Sequence, residues 1–235
     1  MAAPKSAPLT FLITAGPTIE DIDPVRFISN RATGKLGAAL ARAAHHEGHQ
    51  VILIHGPVHE SVLEPLRNLK RTTLVAVRSA SQMHRAVMQH FKQADVVIMN
   101  AAVADFTPAN ASPIKLKKAS SALTLRLKPT VDILKALGEA KQNGVPVLIG
   151  FALETGKGST AAARRASRQR EALRKLEAKN LDAIVLDTPA AMGSDASTFT
   201  VFTRGIARGQ NFADLSKQLF AAKLVRLAAQ LLKPH

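Results

Sequence analysis

Two hydrophobic rhythms alternate along the chain. Short apolar or β-branched runs at residues 9–15, 50–55, 71–77, at the start of 96–105, and at 122–127, 145–151, 182–186 and 199–203 read as strands, most of them closed by Gly, Pro, Asn or Asp. Between several of these runs, apolar residues return every three or four positions, the spacing of one buried helical face. Leu36, Ala39, Leu40, Ala43 and Ala44 do so ahead of Gly48, which is placed to end a helix. Met83, Val87 and Phe91 follow a start at Ser79 or Ser81. Ile133, Leu134 and Leu137 follow a start within 129–132, and Leu215, Leu219, Leu224, Leu227 and Leu231 mark a closing helix. Runs such as VVIM at 96–99 are apolar at every position, as in strands buried on both faces of a parallel sheet. The pattern predicts an α/β fold with a Rossmann-like, mostly parallel sheet and flanking helices.

No internal repeat, long linker or low-complexity tract divides the sequence, so residues 1–235 are expected to form a single domain, with 1–8 as a disordered tail and 107–121 as a mobile flap rich in Pro, Ser, Asn and Lys. A chain of 235 residues can bury a substantial core. Without cysteine there is no disulfide framework, thiolate metal site or cysteine nucleophile, which fits a reducing cytoplasm. The first residues are polar and no run is long and apolar enough to span a membrane, so neither a leader nor membrane association is expected. The net charge of +15 points to polyanionic ligands, nucleic acid included. Trp and Tyr are absent, however, which leaves little for base-stacking platforms. Eight Lys or Arg against Glu171 and Glu177 fall within 157–179, the composition of a solvated helix. The histidines show no metal-ligand spacing; His45, His46 and His49 surround the helix end at Gly48, where polar or cationic side chains suit exposed carbonyls. No metal site is expected within the protein.

The chemistry concentrates in the segment 12–37, LITAGPTIEDIDPVRFISNRATGKLG. A strand-to-helix connection usually takes about 2–6 residues, so a polar loop of this length at a strand's carboxyl end is a candidate binding element. Asn30, Thr33, Gly34 and Gly37 sit where the helix begins, and with Lys35 they can bring backbone N–H groups and a cation to one anion. Walker A fails, because Ser29 stands where its first glycine belongs and Leu36 follows the lysine. The G-x-G-x-x-G dinucleotide fingerprint is absent as well.

A second constellation closes 96–105, where Ala101 and Ala102 let a ligand approach the backbone and Asp105 offers acceptors at a strand's carboxyl end. Asp105 as a helix cap is an equally ordinary reading of those residues alone. The flap carries Lys115, Lys117 and Lys118, and Phe151 ends the strand VPVLIGF.

The segment from Gly16 closely resembles the loop of the phosphopantothenoylcysteine synthetase family, the ligases of coenzyme A biosynthesis, whose pattern runs G-x-T-x-E-x-I-D-P-V-R-x-I-S-N-x-S-S-G-K-x-G. Gly16, Thr18, Glu20, Ile22, Asp23, Pro24, Val25, Arg26, Ile28, Ser29, Asn30, Gly34, Lys35 and Gly37 match, with Ala32-Thr33 in place of Ser-Ser. A-A-V-A-D-F at 101–106, the lysine-rich flap and G-F-A-L-E-T at 150–155 resemble later motifs. Leu186-Asp187-Thr188 and Gly193-Ser194-Asp195 are weaker matches, mainly structural ones. The resemblance implies a Rossmann-like domain with an added dimerisation region, acting as a homodimer with shared active sites. It implies substrates 4'-phosphopantothenate and L-cysteine, and a nucleoside triphosphate with Mg2+. The bacterial look of the A-V-A-D and K-x-K-K motifs leans towards CTP rather than ATP.

By the same resemblance Asn30 serves the acyl-nucleotide intermediate, and Arg26, from across the dimer, clamps the substrate's phosphate. Ala101, Ala102 and Asp105 hold phosphopantothenate. Gly16, Thr18, Thr33, Gly34, Lys35, Ala101, Asp105, Lys115, Lys118 and Phe151 bind the nucleotide, with Lys115 as the flap's working lysine. Many bacterial members are fused to a flavin-dependent decarboxylase; with nothing before residue 1, no flavin is expected. Two other classes stay open at this point: a basic nucleic-acid-binding protein, and a nucleotide-sensing regulator on the same fold.

Overall fold

The computed structural model describes residues 7–118, 122–187, 194–206 and 208–232. Thr188 and Gly193, two of the weaker motif positions, and the last residues of the expected flap lie outside them. The first half of the chain forms β1 (Thr10–Ala15), β2 (Glu20–Asp21), β3 (Phe27–Ile28), α1 (Lys35–His46), β4 (Gln50–His55), α2 (Glu60–Arg67), β5 (Thr72–Ala76), α3 (Ala80–Phe91), β6 (Val96–Met99) and β7 (Phe106–Pro108). The second half forms β8 (Leu127–Pro129), α4 (Ile133–Ala140), β9 (Val147–Leu153), α5 (Ala161–Ala178), β10 (Ala183–Asp187), β11 (Ala196–Thr203), β12 (Gln210–Ser216) and α6 (Lys217–Leu231).

One eight-stranded sheet runs in the order β12-β11-β10-β9-β6-β1-β4-β5. The strands from β10 to β5 pair in parallel, and in chain order they read 3-2-1-4-5-6, the doubly wound Rossmann arrangement. β11 and β12 continue the sheet antiparallel. Alternate side chains of each central strand enter opposite cores, as the two-residue strand period requires. Phe11, Ile13 and Ala15 meet Leu40, Leu66 and Phe220 of α1, α2 and α6. Leu12 faces Met83, Leu137 and Leu176 of α3, α4 and α5. The middle of the sheet is covered on both sides, which is why its central strands are largely apolar.

Departures from the sequence reading have local causes. α2 was hidden behind Gly56-Pro57 and carries Pro65, with only Leu63 and Leu66 buried. The strand expected at 122–127 starts instead at Leu127 and pairs with β7, leaving Leu123 and Leu125 exposed with no sheet to bury their alternation. β12 is a polar edge strand, largely exposed, and so carried no hydrophobic signal. On the closing helix, Leu215 belongs to β12 and Leu219 is exposed; the buried face is Phe220, Ala221, Leu224, Val225 and Ala228. The start is set by Ser216, whose hydroxyl accepts the Leu219 N–H at 3.2 Å.

His49 is a correction of chemistry as well as position. It is buried against the Phe11 ring, 5.0 Å between centroids, and its Nδ1 accepts the Leu9 N–H at 3.2 Å. Burial holds its pKa below the ordinary value of 6.5, against the upward pull of Glu47 and Asp95. The unfolded chain therefore takes up this proton first as pH falls. Stability from His49 is complete above about pH 6.5 and is lost from there down to the folded pKa. Urea unfolding of wild type between pH 7 and 5 should fall more steeply than that of His49→Gln; parallel slopes would remove His49 from the account.

Candidate functional site

The parallel order reverses between β1 and β6, and connections leaving that point in opposite directions open a crevice at the strands' carboxyl ends. A cavity of about 560 Å3 lies there. Backbones approach closely around the end of β1. Gly37 packs α1 directly on the end of β1, where a Cβ would come within 2.4 Å of the Ala15 Cβ. Gly56, after β4, lies so near the Pro17 carbonyl that a Cβ would sit 1.6 Å from its oxygen. That second requirement is set by a tertiary contact the sequence does not display.

The loop after β1 is zipped to the segment after β6. Ala102 N–H donates to Gly16 O at 2.9 Å, and Thr18 N–H donates to Ala102 O at 3.2 Å. The buried Thr18 hydroxyl accepts Ala104 N–H at 2.9 Å, and Thr14 Oγ1 accepts Ala101 N–H at 3.0 Å. Asn30 completes the seam. Its Nδ2 donates to Ala102 O at 2.5 Å, and its Oδ1 accepts Ala32 N–H at 3.0 Å. A polar loop that would otherwise wander is thus fixed by hydrogen bonds to a strand end.

At the mouth of this seam α1 begins without a side-chain cap. Its cap position is Gly34, in left-handed conformation at φ 76°. The other described helices start on His59, Ser79, Asp132, Thr160 or Ser216, each accepting a backbone N–H through its side chain. The first N–H groups of α1 are left facing the cavity, at the positive end of the helix dipole. Gly16, Asn30, Thr33, Gly34, Lys35, Ala101, Ala102, Asp105 and Phe151, all expected from the sequence, line it. Thr18 acts one layer below, as a backbone tie. Among the described residues the Asp105 carboxylate has no ion pair, while Asp105 O accepts Thr130 N–H at 2.9 Å.

The sequence reading missed a set of cations on the same wall. Lys175 comes from α5, Lys179 from its C-cap and Lys217 from the first turn of α6. Lys175 pairs with Glu154 at 2.6 Å and Lys179 with Asp132 at 2.8 Å. Burial first, and then Lys35, holds the Lys217 pKa below that of an ordinary lysine; its ammonium donates to Ser194 O. Lys35 pairs with Asp195 at 2.9 Å and keeps that carboxyl below the usual carboxylate range. The available signal was the four-residue spacing of Lys175 and Lys179, which brings Lys179, at the C-cap of α5, to the same side as Lys175 one turn earlier.

Arg26, Lys115 and Lys118 lie outside the cavity of their own chain. Arg26 sits on the β2–β3 hairpin, where its guanidinium binds the Asp23 carboxylate at 2.5 and 2.9 Å and Leu116 O at 2.8 Å. Asp23 is buried and also accepts the N–H groups of Val25, Arg26 and Leu116. These donors, the arginine foremost, hold its carboxyl far below the usual range. The flap is therefore docked on the hairpin through Leu116, with Lys115 and Lys117 on either side of the clip. Ser112 N–H adds a bond to Ile22 O at 2.8 Å. Val25 and Phe27 on the hairpin, Ile114 on the flap, and Phe106 and Leu127 on the β7–β8 ribbon are all exposed.

Residues 7–232 match the family model described as the DNA/pantothenate metabolism flavoprotein C-terminal domain, DFP. The coenzyme A biosynthesis bifunctional protein CoaBC of Bacillus subtilis (strain 168) is 45% identical over 208 residues, covering 86% of this chain and 47% of that protein. The chain thus spans about half the length of the curated relatives it matches. A crystal structure of the C-terminal domain of a CoaBC protein superposes with a TM-score of 0.74 at 35% identity, over 95% of each chain. The DNA/pantothenate metabolism flavoprotein from Streptococcus pneumoniae shares the fold, with a TM-score of 0.78 at 20% identity over 94% of this chain and 99% of that one.

Proposed function

Because the chain belongs to the DNA/pantothenate metabolism flavoprotein C-terminal domain family, we propose that it joins 4'-phosphopantothenate to L-cysteine through an acyl-nucleotide, with CTP as the nucleotide. The observation that carries this reading is the uncapped N-terminus of α1 facing a cavity walled by Lys35, Lys175, Lys179 and Lys217, at the switch point of a Rossmann sheet.

The chemistry needs no protein nucleophile. A carboxylate oxygen of phosphopantothenate attacks the α-phosphorus, and the bond to the β-phosphate breaks with its electrons going to diphosphate. The amine of cysteine then attacks the acyl carbon, nucleoside monophosphate leaves, and the amine gives up a proton as the amide forms. Positioning and charge neutralisation are the protein's contribution. The α1 amides and the lysines face the phosphates, Phe151 lies against the base, and Asn30 presents its amide to the acyl-nucleotide. Asp105 and the Ala101–Ala102 backbone hold the pantothenate arm. Mg2+ fits as the counter-ion of the triphosphate, with phosphate oxygens and water as its ligands, the usual manner for this ion. The described residues contain no cluster of three or more His, Asp or Glu that would hold it independently. The reaction so written uses no flavin.

The exposed apolar side chains of the hairpin, flap and ribbon form the face we assign to a second copy of this chain, which would bring Arg26 of the hairpin to the partner's phosphate. A guanidinium fork suits that task.

Diphosphate release in the presence of 4'-phosphopantothenate, CTP, Mg2+ and cysteine, followed by amide detection, tests the reading. Nucleotide binding without diphosphate would make the protein a sensor. Salt-sensitive binding of DNA or RNA with no ligation would make it a nucleic-acid binder.

The flap supplies a further prediction. Lys115→Gln is expected to slow activation by about tenfold or more with the melting temperature unchanged, since an exposed loop lysine adds little stability. Greater damage from Lys117→Gln or Lys118→Gln in the same diphosphate assay would move the flap's working lysine.

A further inference from the structure

A second cleft, of about 570 Å3, opens between the segment after β9 and α5. Lys157, Arg168, Arg170, Arg174 and Lys175 line it against only Glu154 and Glu171. Both carboxylates are engaged: Glu154 by Lys175 at 2.6 Å, and Glu171 by Arg174 through two bonds of 2.7 and 2.9 Å. Lys157, Arg168 and Arg170 have no ion pair among the described residues.

Like charges gathered this way repel, and a merely solvated helix face would let them splay. Here the fold pins the opposing loop onto the helix. Gly156, at φ 74°, lies so close that a Cβ would be 2.4 Å from Arg164 O and 2.9 Å from the Arg168 Cγ. Arg164 Nη1 donates to Gly158 O and Ser159 O, both at 3.1 Å, and Lys157 N–H donates to the Ser167 hydroxyl at 3.1 Å. The cations consequently surround a defined space. Lys175 lines both this cleft and the main cavity.

We propose that this cleft is a small-polyphosphate site that takes inorganic diphosphate as it leaves the nucleotide in the adjoining cavity, with Lys175 on the shared wall. The identity of the anion rests on the ligase reading above; the presence of an anion site does not. Diphosphate is compact and multiply charged, and guanidinium forks meet its oxygens two at a time. Nucleic acid fits less well: the charge lines a cleft between a loop and a helix, and the chain has no Trp or Tyr on which bases could stack.

The test is calorimetric titration of inorganic diphosphate into protein saturated with CTP in the absence of 4'-phosphopantothenate, so that the main cavity is filled and no turnover occurs. One further equivalent should bind wild type. Arg168→Gln/Arg170→Gln should weaken that binding by about tenfold or more, with CTP affinity held within about twofold and cooperative melting retained. In steady state, diphosphate should inhibit wild type with a noncompetitive component against CTP that the double variant lacks. Arg170→Gln alone, at an exposed position, serves if the double variant does not fold. No diphosphate binding beside CTP, or equal affinity in wild type and variant, overturns the site. So does tighter binding, through the same arginines, of a single-stranded oligonucleotide of about 12 nucleotides. A protein that binds diphosphate beside CTP but never forms amide refutes the ligase reading and keeps the site; one that ligates without that binding refutes the site alone.

Discussion

Asn30→Asp is expected to lower amide formation by about two to three orders of magnitude, the loss typical of removing a preorganised donor from a developing charge. The side chain has two jobs. Its Oδ1 accepts Ala32 N–H, which aspartate can still do, while its Nδ2 donates to Ala102 O, which aspartate cannot. The variant would set a carboxylate against that carbonyl, across the seam joining the two loops, and place a negative charge beside the anionic acyl-nucleotide. The charge acts most on the step that consumes the intermediate, so a burst of diphosphate with little amide is the expected signature. Asn30→Ala removes the donor without adding charge and should be milder. Wild-type amide rates in Asn30→Asp would end its assignment to the intermediate.

The other large effect is a recovery. Arg26→Ala and Asp105→Ala should each be inactive alone, yet a mixture should regain activity if each site takes Arg26 from one subunit and Asp105 from the other. With equal mixing and random exchange about half the dimers are mixed, and each has one intact and one doubly damaged site, giving about one quarter of wild-type activity. Arg26→Ala leaves Asp23 with the N–H groups of Val25, Arg26 and Leu116, so the hairpin should keep its shape. If labelled subunits exchange and the mixture stays dead, the site is not shared.

Strand and helix positions were most legible where burial is two-sided or strictly one-sided. The run 50–55 became β4 without change, and Met83, Val87 and Phe91 are all buried on α3. Legibility failed where an element owes little to hydrophobic pattern. β2 and β3 are two residues each, held by ladder bonds and the Asp23 node, and β12 is a polar edge. At the site, the residues close in sequence to the long loop were readable because one strand-loop-helix unit places them. Lys175, Lys179 and Lys217 were not, because they arrive from distant helices and each looks, in sequence, like a solvated lysine. The opposite holds for Arg26: its motif was plain, but its contacts in a single chain are with Asp23 and the flap.

If an anion binds at the start of α1 as proposed, the glycine there makes that ligand part of the folding equilibrium. A helix whose first N–H groups meet no side chain is finished only when an anion arrives, and whatever binds the folded form alone adds RT ln(1 + [L]/Kd) to stability. At a hundredfold excess over Kd that is about 2.7 kcal/mol, or about 5–10 °C in melting temperature for a chain of this size. A thermal melt across CTP and ATP concentrations would rank the two nucleotides by affinity with no turnover at all. The nucleotide, on this account, is the N-terminal cap that the sequence leaves out.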